Sequence, residues 1–248
     1  MSGHSKWSQI KRKKAAVDAK KGKIFSKIVK EIQIAVREGG PDPELNPRLR
    51  LAIENAKGVN MPKENIERAI SKSDKEGSAL QEVTYEGYGP SGVAIFIECL
   101  TDNPTRTVGQ IRSIFNKRGG NLGTKGSLNF IFDRKGVFTV KKGNFDEEQF
   151  LLDLIDVGID ECELEGDVFF ITCPVESFGA VQKKLESLGA VVENAQLQRI
   201  PKETKKLDVE SAQKVMKMIE EFEDLDDVQN VYHNLEMSDE LMAVMDQD

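Results

Sequence analysis

Histidine is almost missing from this chain: His4 and His233 are the only two among 248 residues. That is too few for a histidine-ligated metal site or a histidine-based catalytic set. Three cysteines, Cys99, Cys162 and Cys173, cannot all pair and show no CxxC spacing. They point to a reducing cytoplasm and to ordinary small core residues. Apolar residues make up only 39% of the chain and charged residues 31%, against about 45–50% and about 25% in typical globular domains. A single large apolar core, such as a closed parallel barrel, is disfavoured, and several small cores are expected. No stretch approaches the roughly 20 apolar residues of a membrane span. The N-terminus is basic and polar without an apolar stretch, unlike a secretory signal. No membrane partner is therefore expected, and neither is a metal or other cofactor.

What is present is charge, and it is sorted. The formal net charge is −7, but residues 1–75 carry +9 and residues 76–248 carry −16. Residues 1–23 hold eight basic side chains, Lys6, Lys11, Arg12, Lys13, Lys14, Lys20, Lys21 and Lys23, opposed only by Asp18. A basic arm on an acidic body seeks polyanions, while the body repels phosphate and confines contact to the arm and its surroundings. The arm's few apolar residues, Trp7, Ile10 and Val17, cannot bury enough surface to offset ordering entropy, so a mobile arm is expected.

From Ile24 the pattern turns helical. Phe25, Ile28, Val29, Ile32 and Val36 recur at three- and four-residue steps and make one apolar face. Gly39-Gly40-Pro41 ends this helix, and Asn46-Pro47 opens a second as cap and first-turn proline. Pro62 starts a third. Beyond the linker Lys75–Ser78, strands and helices alternate. Val93–Leu100 reads as a buried strand, Asp102-Asn103-Pro104 as a cap for a helix through Lys117, and Ser127–Phe132 as a strand. From 136 to 199 the order is βαββαβ, a ferredoxin-like unit. An internal repeat relates Val175-Glu176-Ser177 to Val209-Glu210-Ser211 and Val192-Glu193-Asn194 to Val228-Gln229-Asn230. It suggests a second such unit, split by the first. The expected fold is α+β: a basic arm over 1–23, a three-helix domain over 24–76, an α/β domain over 80–134 plus 202–248, and an inserted ferredoxin-like domain over 135–201.

Three motifs invite a sharper chemistry. Gly87-Tyr88-Gly89-Pro90-Ser91-Gly92 matches GxGxxG, but a dinucleotide loop must open a helix and this one precedes a strand. Phe96 stands where a kinase lysine would follow Val93-Ala94-Ile95. The run reads as a tight glycine turn at a domain junction, not an ATP site. Arg118–Ser127 is a glycine-rich basic loop without the nucleotide P-loop spacing. The acidic run Glu220–Asp227 lacks the glycine of an EF-hand bend and reads as a solvated helix end. A phosphotransferase using the 87–92 loop and a scaffold acting through the acidic C-terminal region are the rival classes; the missing lysine and metal-binding carboxylate motifs argue against the first, and the basic arm argues that the second is not the whole story.

Several segments resemble the YebC/PmpR family: Gly3-His4-Ser5-Lys6-Trp7, Asp18-Ala19-Lys20-Lys21-Gly22-Lys23, Asn46-Pro47-Arg48-Leu49-Arg50, Asn60–Ile70, Tyr85–Pro90 and Leu100-Thr101-Asp102-Asn103. At Pro104-Thr105-Arg106-Thr107 many relatives carry an extra arginine in place of the proline. The resemblance implies a three-domain cytoplasmic protein without enzymatic activity. It implies a DNA-binding transcriptional regulator or, alternatively, a ribosome-associated translation factor or activator that binds ribosomal RNA. The nucleic-acid-binding residues expected on these grounds are Lys6, Trp7, Lys11, Arg12, Lys13, Lys14, Lys20, Lys21, Lys23, Arg48 and Arg50. The partner is duplex DNA or ribosomal RNA, with no small-molecule substrate.

Trp7 lies between Lys6 and the Lys11–Lys14 run, away from any apolar face, which suits a stacking or wedging role. Its emission is expected to be that of a water-exposed indole and to quench when nucleic acid is added. Trp7→Ala should weaken binding by roughly 1–3 kcal/mol without lowering stability. Blue-shifted emission from the free protein would show instead that the indole packs against the body.

Overall fold

The computed structural model describes residues 18–76 and 79–245, and side chains from Gly22. Of these residues, 18–34, 79–133 and 200–245 form one compact unit, and 35–76 with 134–199 a second. Each carries a four-stranded sheet. The fold is mixed α and β, as the sequence implies. The elements are, in order, helices α1 (Asp18–Gly39), α2 (Pro47–Gly58) and α3 (Lys63–Glu76); β1 (Gln81–Tyr88), β2 (Ala94–Thr101), α4 (Pro104–Lys117) and β3 (Asn121–Leu122); β4 (Phe132–Lys141), α5 (Glu147–Ile155), β5 (Glu161–Glu165), β6 (Val168–Pro174), α6 (Phe178–Ser187) and β7 (Val192–Pro201); then α7 (Val209–Glu223), β8 (Val228–His233) and α8 (Asp239–Met245).

In the first unit the strand order is β3-β1-β2-β8. β2 pairs antiparallel with β1 on one side and with β8 on the other. Side chains alternate across a strand, and both faces of β2 are covered. Val93, Ile95, Ile97 and Cys99 pack with Ile111 and Phe115 of α4 and with Val215, Ile219 and Phe222 of α7. Ala94 and Phe96 pack with Leu128, Phe132 and Tyr232. Two-sided burial is why this strand reads as one continuous apolar run.

Three expectations are corrected here. Helix α1 begins at Asp18, six residues before the apolar stripe starts, so the last residues assigned to the arm are helical. The glycine run is not a junction but the turn of the β1–β2 hairpin: Gly89 donates to the Val93 carbonyl at 2.8 Å, and Ser91 and Gly92 take φ of 58° and 71°. β1 has no counterpart among the strands expected from the sequence: only Val83 and Tyr85 mark its apolar face, alternating with Glu82, Thr84 and Glu86. Finally, Ser127–Ile131 is a series of turns, not a strand. The buried Glu86 carboxylate accepts the backbone N–H groups of Gly126 and Leu128, both at 2.7 Å. Those donors are thereby taken from any ladder. The apolar alternation from Leu128 to Phe132 belongs to a covering loop. Relative to a ferredoxin-like βαββαβ order, the strand that would lie between the two parallel ones has moved to the front of the unit, as β1.

The second unit has the order β5-β6-β4-β7, the arrangement of βαββαβ from 132 to 201. Phe138, Phe150, Phe169, Ile171, Val181 and Leu185 fill its core. Helix α2 docks on the edge strand β7. The Asn55 side chain donates to the Ala195 carbonyl and accepts from the Ala195 N–H, each at 2.8 Å. The helix comes so close that a Cβ on Gly58 would lie 1.9 Å from the Glu193 carbonyl oxygen. At the start of α2, Asn46 accepts from Leu49 N–H at 3.0 Å and donates to the Ala35 carbonyl at 2.7 Å, tying the end of α1 to the next helix.

Gly58→Ala is therefore expected to destabilise the protein by about 1–3 kcal/mol through overpacking. Gly22→Ala, in open space on α1, is expected to be neutral or stabilising by up to about 1 kcal/mol. Urea unfolding of the two variants checks both signs.

Candidate nucleic-acid interface

The basic residues expected to contact nucleic acid divide into three groups. Lys6, Trp7, Lys11, Arg12, Lys13 and Lys14 lie outside the described residues. Lys20 and Lys21 fall in the first turns of α1, with side chains outside the described ones. Lys23, Arg48 and Arg50 are described, and each already has a partner within its own unit. Lys23 pairs with Asp224 at 2.6 Å. Arg48 pairs with Glu38 at 2.7 Å. Arg50 donates to the carbonyls of Pro43 at 3.1 Å and Glu44 at 2.9 Å, closing the loop between α1 and α2. Lys23 belongs to the first unit, Arg48 and Arg50 to the second.

Lys23, Lys27 and Lys30 recur at helical spacing, which puts them on one stripe of α1. The turn between α7 and β8 receives them. Lys27 donates to the carbonyls of Glu223 at 3.3 Å and Gln229 at 3.5 Å. Lys30 donates to the carbonyls of Leu100 at 3.3 Å and Asp226 at 2.8 Å and to the Asp227 carboxylate at 3.0 Å. The acidic run read as a solvated helix end is thus, at its last residue, a buried junction. Asp227 is 5% exposed. Its Oδ2 accepts from Thr101 Oγ1 at 3.1 Å, Thr107 Oγ1 at 2.9 Å and Arg106 at 2.7 Å. Burial pushes this carboxyl up, but the hydrogen bonds from Arg106, Lys30 and Thr107 more than offset that and hold it at about 2. Arg106 also pairs with Asp102 at 2.8 Å, so the first turn of α4 spends its cation on structure.

The glycine-rich loop after α4 is similarly depleted of free cations. Glu221 of α7 pairs with Arg118, and with Lys117 at 3.0 Å. Those two hydrogen bonds hold its carboxyl down at about 2. Lys125 is exposed and makes no ion pair among the described residues. The three thiols are poor nucleophiles: burial pushes Cys99 up to about 12 and Cys162 and Cys173 up to about 11, which suppresses the thiolate. His233 is buried on β8, opposite Ile95. No group of three or more His, Cys, Asp or Glu side chains among the described residues is placed to hold a metal ion, and no described helix is long and apolar enough to cross a membrane.

Sequence reasoning missed Asp227, Glu86 and Asn55 as organising residues. Each is a polar residue within or bordering an apolar pattern. Glu86 sits in β1 before the glycine turn and Asp227 directly precedes β8, and such placement is the signal for a buried polar group that must be satisfied.

These observations define an α+β protein with two four-stranded sheets, whose body pairs its charges internally. Residues 5–76 match the family model described as the TACO1/YebC protein N-terminal domain. Residues 80–235 match the TACO1/YebC second and third domain. The chain belongs to the TACO1/YebC family. A "probable transcriptional regulatory protein" of Persephonella marina is 50% identical over 246 residues, covering 98% of each chain. One of Idiomarina loihiensis is 49% identical, covering 99% of this chain and all of that one. The crystal structure of a conserved hypothetical protein from Aquifex aeolicus superposes with a TM-score of 0.82 at 47% identity, covering 90% of this chain and 93% of that one.

The depressed Asp227 carboxyl favours the folded state above its ordinary value of 3.8, and the benefit is lost as pH falls towards about 2. Asp227→Asn is expected to cost roughly 2 kcal/mol at neutral pH. The variant should also lose less stability than the parent between pH 4 and pH 2. Glu221 titrates in the same window, so the loss is reduced, not abolished. Chemical unfolding at a series of pH values measures both effects.

Proposed function

We propose that this protein is a non-enzymatic, nucleic-acid-binding regulator of gene expression, acting on DNA in the cytoplasm through its basic N-terminal segment. The observation that carries this reading is the charge sorting. Lys6, Lys11, Arg12, Lys13 and Lys14 precede the first acid, Asp18. In the body, by contrast, Lys23, Lys30, Arg48, Arg106, Lys117 and Arg118 are joined to carboxylates. Neutralising phosphate with lysine and arginine releases condensed counterions, an affinity source that needs no base reading. The regulatory names of the relatives support the same reading. Lys20 and Lys21 extend the contact onto the first turns of α1. Lys23, Arg48 and Arg50 would reach phosphate only by exchanging their present partners.

Five cations engaging five phosphates predict a slope of log K against log salt of about −4.5 on duplex DNA. Deleting residues 1–17, which keeps every described residue of α1, is expected to weaken binding and flatten that slope while thermal unfolding is unchanged. Fluorescence anisotropy with labelled duplex over a salt series tests this. Equal affinity and equal slope in the truncated protein would refute it.

A further inference from the structure

Among the large apolar side chains of the first unit that are described, Phe130 is the one left in water, 68% exposed. Its surroundings argue against accident. The loop from Gly123 to Phe132 is fixed at both ends and in the middle. Gly123 N–H donates to the Glu86 carbonyl at 2.7 Å. Gly126 and Leu128 N–H groups bind the two oxygens of the buried Glu86 carboxylate. Ser127, Asn129 and Ile131 N–H groups close successive turns onto Thr124, Gly126 and Leu128 at 3.0–3.3 Å. Leu128 and Phe132 are plugged into the core beneath, with Phe96 packed edge-on against Phe132 at 6.3 Å between ring centres. Phe130 stands between these two anchors and faces outward.

The rim around it is polar. Thr124, Lys125 and Asn129 are exposed. The Lys202 N–H donates to the Ile131 carbonyl at 2.9 Å, so the segment carrying Lys202, Lys205 and Lys206 starts at the residue next to Phe130. Two carboxylates oppose them: Asp133, 3.3 Å from the Lys202 ammonium, and the exposed Glu203 of the same segment. Protein-docking hot spots sit inside an apolar patch that shields them from water, and no such patch surrounds this ring. A single aromatic face on a rigid loop, flanked by cations, is what base stacking on a single strand requires.

We propose that Phe130 is a stacking platform for an unpaired base of single-stranded nucleic acid, with Lys125 set to neutralise an adjacent phosphate. The proposal rests on the nucleic-acid reading above and deepens it. The arm supplies affinity that is indifferent to strand state, and Phe130 adds preference for an unpaired base. Glu86 is the positioning residue that holds the loop.

The test uses the full chain and three probes: a short oligo-dT, a hairpin duplex of equal nucleotide number and inorganic polyphosphate. Phe130→Ala is expected to weaken oligo-dT binding about five-fold or more and to leave the duplex within two-fold, with unchanged thermal unfolding. In a Trp7→Phe background, the indole of Phe130→Trp is expected to emit as an exposed group. It should quench on oligo-dT but not on polyphosphate at matched charge. Equal quenching by polyphosphate, or equal losses for single strand and duplex, overturns the proposal. Oligo-dT binding unaffected by Phe130→Ala, while the arm's salt slope persists, overturns it too and leaves the regulator reading standing. Absence of all nucleic-acid binding in the parent protein refutes both.

Discussion

The carboxylate of Asp227 is the point on which the first unit's organisation turns. It collects an ammonium from α1, a guanidinium and a hydroxyl from the first turn of α4, and a hydroxyl from the end of β2. Buried donors left without acceptors are costly, so these four groups are mutually dependent. The backbone joins in: Leu100 N–H donates to the Asp227 carbonyl at 2.8 Å. Helix α1 is thereby held against the turn after α7 by side chains on its polar stripe. The chain that leads into the basic segment departs from a fixed place.

That arrangement changes the meaning of the charge pattern. Overall acidity and a basic start suggest two independent regions, one repelling and one attracting phosphate. In the structure the boundary is a seam where the two signs meet, since the last lysines of the basic stretch engage the acidic turn. Lys23 closes the seam from one side and Asp224 from the other. The charge that matters for a polyanion is the part left over after the fold has used what it needs.

Much of this was legible in the sequence. The second sheet followed from apolar periodicity and from the Glu165-Gly166-Asp167 turn, because its strands are short, alternating and separated by clear turn residues. The caps at Asn46 and Asn103 were visible for the same local reason. β1 was not, because its inner positions include Glu86, whose burial makes sense only once the loop from Gly123 to Phe132 is folded over it. The strand assigned to Ser127–Phe132 failed on the same contact: alternation of apolar residues is shared by strands and by loops that cover a sheet. The roles of Arg48 and Arg50 were hidden because their partners, Glu38 and the carbonyls of Pro43 and Glu44, are set by how the α1–α2 loop closes. A motif shows that a cation is present but not what it is already holding.

The approach of α2 to β7 carries a further consequence. A strand at the margin of a sheet presents bare N–H and C=O groups that can recruit another chain. Here the carboxamide of Asn55 occupies both groups of Ala195, imitating a neighbouring strand with a single side chain. The missing Cβ of Gly58 lets the helix lie close enough to do so. At Ala195 this margin of the second sheet is thus closed by a helix, and that stretch of β7 no longer offers a template to another chain.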